Sequence, residues 1–189
     1  MKRKIALTLT GILLLAVSSF GQITKGFWMF GGNGNLRSGT FRPTGREIKS
    51  TQIDIQPRVG FFLADKLATG VLLNYNLSKN NEVGVQSSTS TSTYGIGPFI
   101  RYYFMPKEKQ VNLLSELNLI YSRQTGVFNT NTGLIQSDIL AGPAIFLNTS
   151  VAVELLMGYR YSKETISNGT SANQFLFMIG LQVYLEKDK

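Results

Sequence analysis

Tyr94-Gly95-Ile96-Gly97-Pro98-Phe99-Ile100-Arg101-Tyr102-Tyr103-Phe104 is the stretch that decides the fold. Every second residue is large and apolar: Tyr94, Ile96, Pro98, Ile100, Tyr102 and Phe104. The intervening face carries Gly95, Gly97, Phe99, Arg101 and Tyr103. A period of two is the signature of a strand. An unbroken apolar face opposite a face of small, polar and charged residues is the pattern of a strand between lipid and a barrel lumen.

The pattern recurs along the chain. It predicts eight strands at about 23–32, 50–64, 67–78, 91–105, 111–124, 134–148, 150–163 and 172–185. No stretch keeps the 3.6-residue period of a helix. The expected fold is all-β, an eight-stranded antiparallel transmembrane β-barrel. Predicted turns near Asp65-Lys66, Pro106-Lys107-Glu108-Lys109 and Thr149 are short. Predicted loops at 33–49, 79–90, 125–133 and 164–171 are longer and polar. Short turns at one end and long loops at the other are the outer-membrane layout, with both termini on the turn side.

Face assignments follow from the alternation. Ile53, Ile55, Pro57, Val59, Phe61 and Leu63 fall on the lipid side of the second strand, and Asp54, Gln56, Arg58 and Gly60 on the lumen side. The first strand is ambiguous, because Phe27, Trp28, Met29 and Phe30 are all large. Outward aromatics collect near strand ends, with Tyr75, Tyr94, Tyr121, Tyr159, Tyr161 and Phe175 toward the loops and Phe61, Tyr102 and Phe104 toward the turns. Two such girdles mark the interfaces of a spanning barrel. A soluble barrel of the lipocalin kind would invert the faces, with apolar residues inside.

The chain has 189 residues with 19 basic and 11 acidic side chains, a net charge of +8. Residues 1–21 read as a signal peptide. Lys2, Arg3 and Lys4 precede an apolar core from Ile5 to Val17, and Ser19-Phe20-Gly21 suits cleavage before Gln22. The apolar run is shorter than the ~20 residues that a spanning helix needs. Residues 22–189 form the expected barrel domain. Three basic residues lie in the signal, leaving 16 against 11 acidic ones, a net +5. No Lys/Arg-rich run or nucleic-acid module accompanies this modest excess, so no nucleic-acid partner is expected. Cysteine is absent, so the exported chain has no disulfides and no lipid-bearing cysteine.

Histidine is absent as well. Ser-His and Asp-His nucleophilic schemes are thereby removed, and no typical zinc ligand remains. No enzyme, catalytic residue, metal or cofactor is expected. The sharpest constellation is a set of charges on lumen faces: Asp54, Arg58, Arg101, Glu116, Asp138, Glu154 and Arg160. Eight strands leave an interior that side chains can fill. Buried charges must pair, so these three cations and four anions are expected to form a salt-bridge network that plugs the lumen. A second group, Arg37, Arg42, Arg46 and Lys49 in the first loop, could grip phosphates of lipopolysaccharide, since arginine binds phosphate bidentately. An ordinary solvated loop is the favoured account, because charge runs are usually solvated. The tract Ser87-Ser88-Thr89-Ser90-Thr91-Ser92-Thr93 either extends the fourth strand beyond the bilayer or forms a loop. Pro57, Pro98 and Pro143 all sit outward on descending strands, where a missing ladder donor marks a bulge or weakened pairing.

Ile55-Gln56-Pro57-Arg58-Val59-Gly60-Phe61-Phe62-Leu63-Ala64-Asp65-Lys66-Leu67-Ala68-Thr69-Gly70, Gly97-Pro98-Phe99-Ile100-Arg101-Tyr102-Tyr103-Phe104 and Lys25-Gly26-Phe27-Trp28-Met29-Phe30-Gly31-Gly32 resemble the small outer-membrane β-barrel proteins common in Bacteroidota, with an OmpX/OmpW-like eight-stranded architecture. The resemblance covers the mature chain. It implies an outer-membrane location in a Gram-negative bacterium, contact with outer-membrane lipids, and insertion by the outer-membrane assembly machinery. It implies no activity. One departure is the last strand, where Val183 and Leu185 take the outward positions often held by a terminal aromatic residue. The expected function is a non-enzymatic barrel with a structural or surface-interaction role. The alternative is a narrow channel or transporter for a small or apolar solute.

Overall fold

A computed structural model of the chain describes residues 23–42, 47–83, 88–125, 132–166 and 169–186. The expected signal segment, residues 1–21, lies outside them. Eight strands follow one another: β1 (Trp28–Phe41), β2 (Ile48–Ala64), β3 (Leu67–Glu82), β4 (Ser88–Tyr103), β5 (Val111–Thr125), β6 (Thr132–Phe146), β7 (Val151–Glu164) and β8 (Ser171–Leu185). Each pairs antiparallel with the next, and β1 pairs with β8 to close the barrel. The described residues contain no helix.

The strands are 14 to 17 residues long. A tilted strand needs only about 9–11 residues to cross a bilayer. The surplus lies on the loop side and corrects the expected loops. Leu36 to Thr40 pairs with Lys49 to Ile53, and Ser88 to Thr93 pairs with Asn76 to Asn81. Past Leu36, Ile53 and Leu77 these segments are polar on both faces, so their sequence reads as loop. Each carries on the ladder begun below it, and the barrel wall therefore rises beyond the apolar belt. The Ser/Thr tract joins β4 from Ser88 onward. The connections left between strands are residues 42–47, 83–87, 126–131 and 165–170. They are hardly longer than the turns at the other end.

Alternation places the expected lipid faces outward. Leu117, Ile139, Met157 and Phe177 are exposed, while Phe62, Tyr103, Leu114 and Tyr184 are buried inside. In β1 the ambiguity resolves with Trp28 and Phe30 outward and Met29 inward. Trp28 packs edge-on to Phe61, with ring centroids 5.3 Å apart, and so joins the turn-side girdle. The two-residue turn Asp65-Lys66 is closed by Lys66 at φ 68°. Beneath it the chain before β1 folds back. Lys66 N donates to Ile23 O, and Gly26 N donates to Phe62 O. Ile23 thereby enters the buried cluster.

The three prolines interrupt the ladder without shifting it. Pairing between β2 and β3 skips from Ile55–Tyr75 to Arg58–Leu72. Between β4 and β5 it skips from Ile96–Tyr121 to Phe99–Asn118, and between β6 and β7 from Ala141–Met157 to Ala144–Glu154. Each proline stays paired with the preceding strand, at Gly32, Val71 and Leu113. The irregularity in the β2–β3 register lies elsewhere, between Phe62 and Ala64. At two of these gaps the next strand's carbonyl closes on a lumen-facing glycine. A Cβ on Gly97 would lie 1.9 Å from Leu119 O, and one on Gly142 2.0 Å from Leu155 O. Gly97→Ala is therefore expected to destabilise the barrel by about 2–3 kcal/mol through overpacking. Gly39, with nothing within 4 Å of an added Cβ, should accept alanine with a change below about 0.5 kcal/mol. Urea unfolding in lipid vesicles measures both, and equal effects would refute the close approach.

Candidate functional site

The lumen is the candidate site, and its floor is apolar. Met29, Phe62, Tyr103, Phe146 and Tyr184 are fully buried at the turn side with Ile23. The rings of Phe62 and Tyr103 stand 6.0 Å apart, and those of Phe146 and Tyr184 5.4 Å apart. The two tyrosine hydroxyls hydrogen-bond to each other at 2.8 Å.

Above this floor lies the first group of charges. Arg101 and Glu116 face each other across the β4–β5 ladder. Arg101 Nε donates to Glu116 Oε2 at 2.7 Å and Nη1 donates to Glu154 Oε1 at 2.6 Å. Nη1 also donates to the Tyr103 hydroxyl at 3.1 Å, tying the charges to the aromatic floor. Arg58, on β2, reaches across to Glu116 on β5. Its guanidinium stands 5.4 Å from the Phe99 ring centroid, in cation–π geometry. Gln182 Nε2 donates to Glu154 Oε2 at 3.3 Å.

The second group lies toward the loops. Asp138 and Arg160 are cross-strand partners and form a fork, with Nε and Nη2 donating to the two carboxylate oxygens at 2.7 and 2.8 Å. Arg160 Nη1 crosses to Asp54 Oδ2 on β2 at 2.9 Å. All seven residues of the expected network thus lie inside the barrel in two groups, and three of the pairs tie opposite walls. Bidentate, charge-assisted bonds of this kind are the strong ones.

Between the two groups is a layer of amides. Gln56 Nε2 donates to Asn74 Oδ1 at 3.1 Å, while both side-chain polar atoms of Asn118 are buried without a partner among the described residues. Above Arg160 the lumen opens into a polar vestibule of about 240 Å³, lined among others by Gln52, Asn76, Thr93, Gln136 and Ser162.

Reading by polar residues missed half of the interior. Leu72, Ile120, Leu140, Leu156, Leu176 and Met178 all face inward and are buried. Each has a large apolar neighbour on at least one side, so alternation by polarity fails there. Leu72, Ile120 and Leu140 pair with the inward Arg58, Gln136 and Glu116, and even spacing from Glu154, Gln174 and Gln182 would have found Leu156, Leu176 and Met178.

The expected phosphate-gripping group does not gather. Arg37 lies on β1 and Lys49 on β2, rather than in a loop. The alternation sets Arg37 with the inward residues and Lys49 with the outward ones. Arg42 is exposed and paired with Glu47 at 3.0 Å. Arg46 lies outside the described residues. The cause is again the strand extension, which splits one predicted loop into two paired edges.

No family model matches the chain, and no curated protein does. Among solved structures the chain is similar to the outer membrane protein OprG from Pseudomonas aeruginosa, with a TM-score of 0.55 and 13% identity over 89% of this chain and 100% of that one. It is also similar to Neisserial surface protein A (NspA), with a TM-score of 0.48 and 18% identity over 84% of this chain and 97% of that one. The family resemblance therefore rests on the residues quoted for it, whereas the comparison with OprG is one of fold: a closed antiparallel barrel of eight strands.

Proposed function

We propose that this chain is a non-enzymatic barrel of a Gram-negative outer membrane, with its lumen closed by its own side chains and its polar rim turned outward. The role would be structural, or one of surface interaction at the rim. The observation that carries this reading is the set of ion pairs joining opposite walls: Arg101 to Glu154, Arg58 to Glu116 and Arg160 to Asp54. A conducting pore would keep such charges on its walls and leave water between them. Here they meet at the centre, above an aromatic floor.

The location is supported by the apolar outer face, by the girdles and by the signal-like residues 1–21. The surrounding lipids are then the first partners, and the outer-membrane assembly machinery would insert the chain. The alternative, a narrow channel or transporter for a small or apolar solute, has the vestibule in its favour, because a solute could descend as far as Arg160. Planar-bilayer recording tests the two readings. Purified protein is expected to give no steady conductance. Steady conductance would contradict the closed lumen and favour transport.

A further inference from the structure

The barrel closes between β1 and β8, and the closure is partial. Their ladder runs from Trp28–Leu185 to Gly34–Ile179 and stops. Both strands continue beyond it, β1 to Phe41 and β8 back to Ser171. The other neighbouring strands stay paired almost to their loop-side ends. At the point where the ladder stops, the Asn35 side-chain amide donates to Phe177 O, in place of a backbone donor.

A groove of about 470 Å³ occupies this seam. It is lined by the outward side chains Leu36, Phe175, Phe177 and Ile179, and also by the inward residues Arg37 and Leu176. The groove lies just past the last ladder pair, Gly34–Ile179, where no β1–β8 pairing joins Leu36 and Arg37 to Phe175 and Leu176. Leu36 and Phe175, each 72% exposed, are the most exposed large apolar side chains among the described residues. Arg37 differs from the three arginines of the lumen, which all grip carboxylates. Its Nε and Nη2 are shielded from solvent and have no hydrogen-bond partner among the described residues.

Parted strand edges are not left bare in hydrocarbon, so the seam calls for an occupant. An apolar slot ending at an unpartnered guanidinium is complementary to an acyl chain that ends in an anion, and the planar fork of arginine suits phosphate. The geometry points to the β1–β8 seam as a binding site for one lipid of the surrounding leaflet whose headgroup carries a net-negative phosphate. Its chain lies along Leu36, Phe175, Phe177 and Ile179, and its phosphate meets Arg37. This inference rests on the reading that the barrel spans a membrane with its outer face in lipid.

Quenching by brominated lipids tests it. Trp28 is the only tryptophan, so a Trp28→Phe background admits a single reporter. Phe177→Trp reports on the groove, and Leu117→Trp reports on the wall away from it. The full barrel is inserted into vesicles that contain brominated phosphatidylglycerol or brominated phosphatidylcholine. The groove reporter is expected to favour phosphatidylglycerol roughly three-fold, the scale of a single modest ion pair. Arg37→Gln should abolish that preference, and the wall reporter should show none. Equal quenching by both lipids at Phe177→Trp overturns the site, and so does a preference that survives Arg37→Gln. Quenching only at Leu117→Trp overturns it as well, with the groove then covered by protein, such as a second copy of the chain. Quenching at neither reporter overturns the membrane reading itself.

Discussion

Arg101→Met is expected to lower the unfolding free energy of the barrel by about 3–5 kcal/mol, the scale for removing one partner of a buried ion pair. Methionine nearly matches the length of the arginine stem, so a cavity is not the main cause. The cause is Glu154, which loses the bond from Nη1 at 2.6 Å and keeps only Gln182 at 3.3 Å. Glu116 loses one partner and keeps Arg58. The double variant Arg101→Met, Glu154→Gln should recover most of the loss, because no unpaired carboxylate is left in the lumen. Urea unfolding in vesicles compares the three proteins. A double variant no more stable than the single one would show that the loss comes from packing around Arg101 rather than from a stranded charge.

Leu117→Arg is the second large effect. Leu117 stands near the middle of β5, 52% exposed in the absence of lipid, between Ile100 and Ile139 on the neighbouring strands. In a bilayer an arginine at this depth costs about 2–4 kcal/mol. On the surface of a soluble barrel the same substitution would change stability by less than about 0.5 kcal/mol. Ser90→Arg, on the polar extension of β4, should be near neutral in either case. A free energy of folding in vesicles unchanged by Leu117→Arg would mean that the apolar face does not meet hydrocarbon.

Most of the architecture was legible because a two-faced wall leaves a simple trace. Ile53, Ile55, Pro57, Val59, Phe61 and Leu63 alternate with Asp54, Gln56, Arg58 and Gly60, and no other arrangement satisfies both faces. The seven lumen charges could be named for the same reason, since a charge out of phase with the apolar period turns inward. Their division into two groups could not be named. Whether Arg160 finds Asp54 across the lumen depends on barrel diameter and stagger, which are properties of the closed sheet.

The failures share one cause, that pairing can hold a strand where side-chain polarity gives no sign of one. Leu36 to Thr40 carries no apolar stripe, yet it extends a ladder already in register, and Ser88 to Thr93 takes the strand extension, one of its two readings. The extension of β1 and β2 moved Arg37 and Lys49 out of the expected loop. The buried Ile120 and Leu140 were hidden by apolar neighbours. The parted seam left no trace in composition, because it depends on where two strands far apart in sequence cease to meet.

Gel mobility of the detergent-extracted outer-membrane fraction, with and without boiling, tests the membrane barrel most directly. A folded barrel withstands SDS until heated, so a band in that fraction whose mobility shifts on boiling is expected. Soluble periplasmic protein with no shift would contradict it and would mean that the apolar face is covered by something other than lipid.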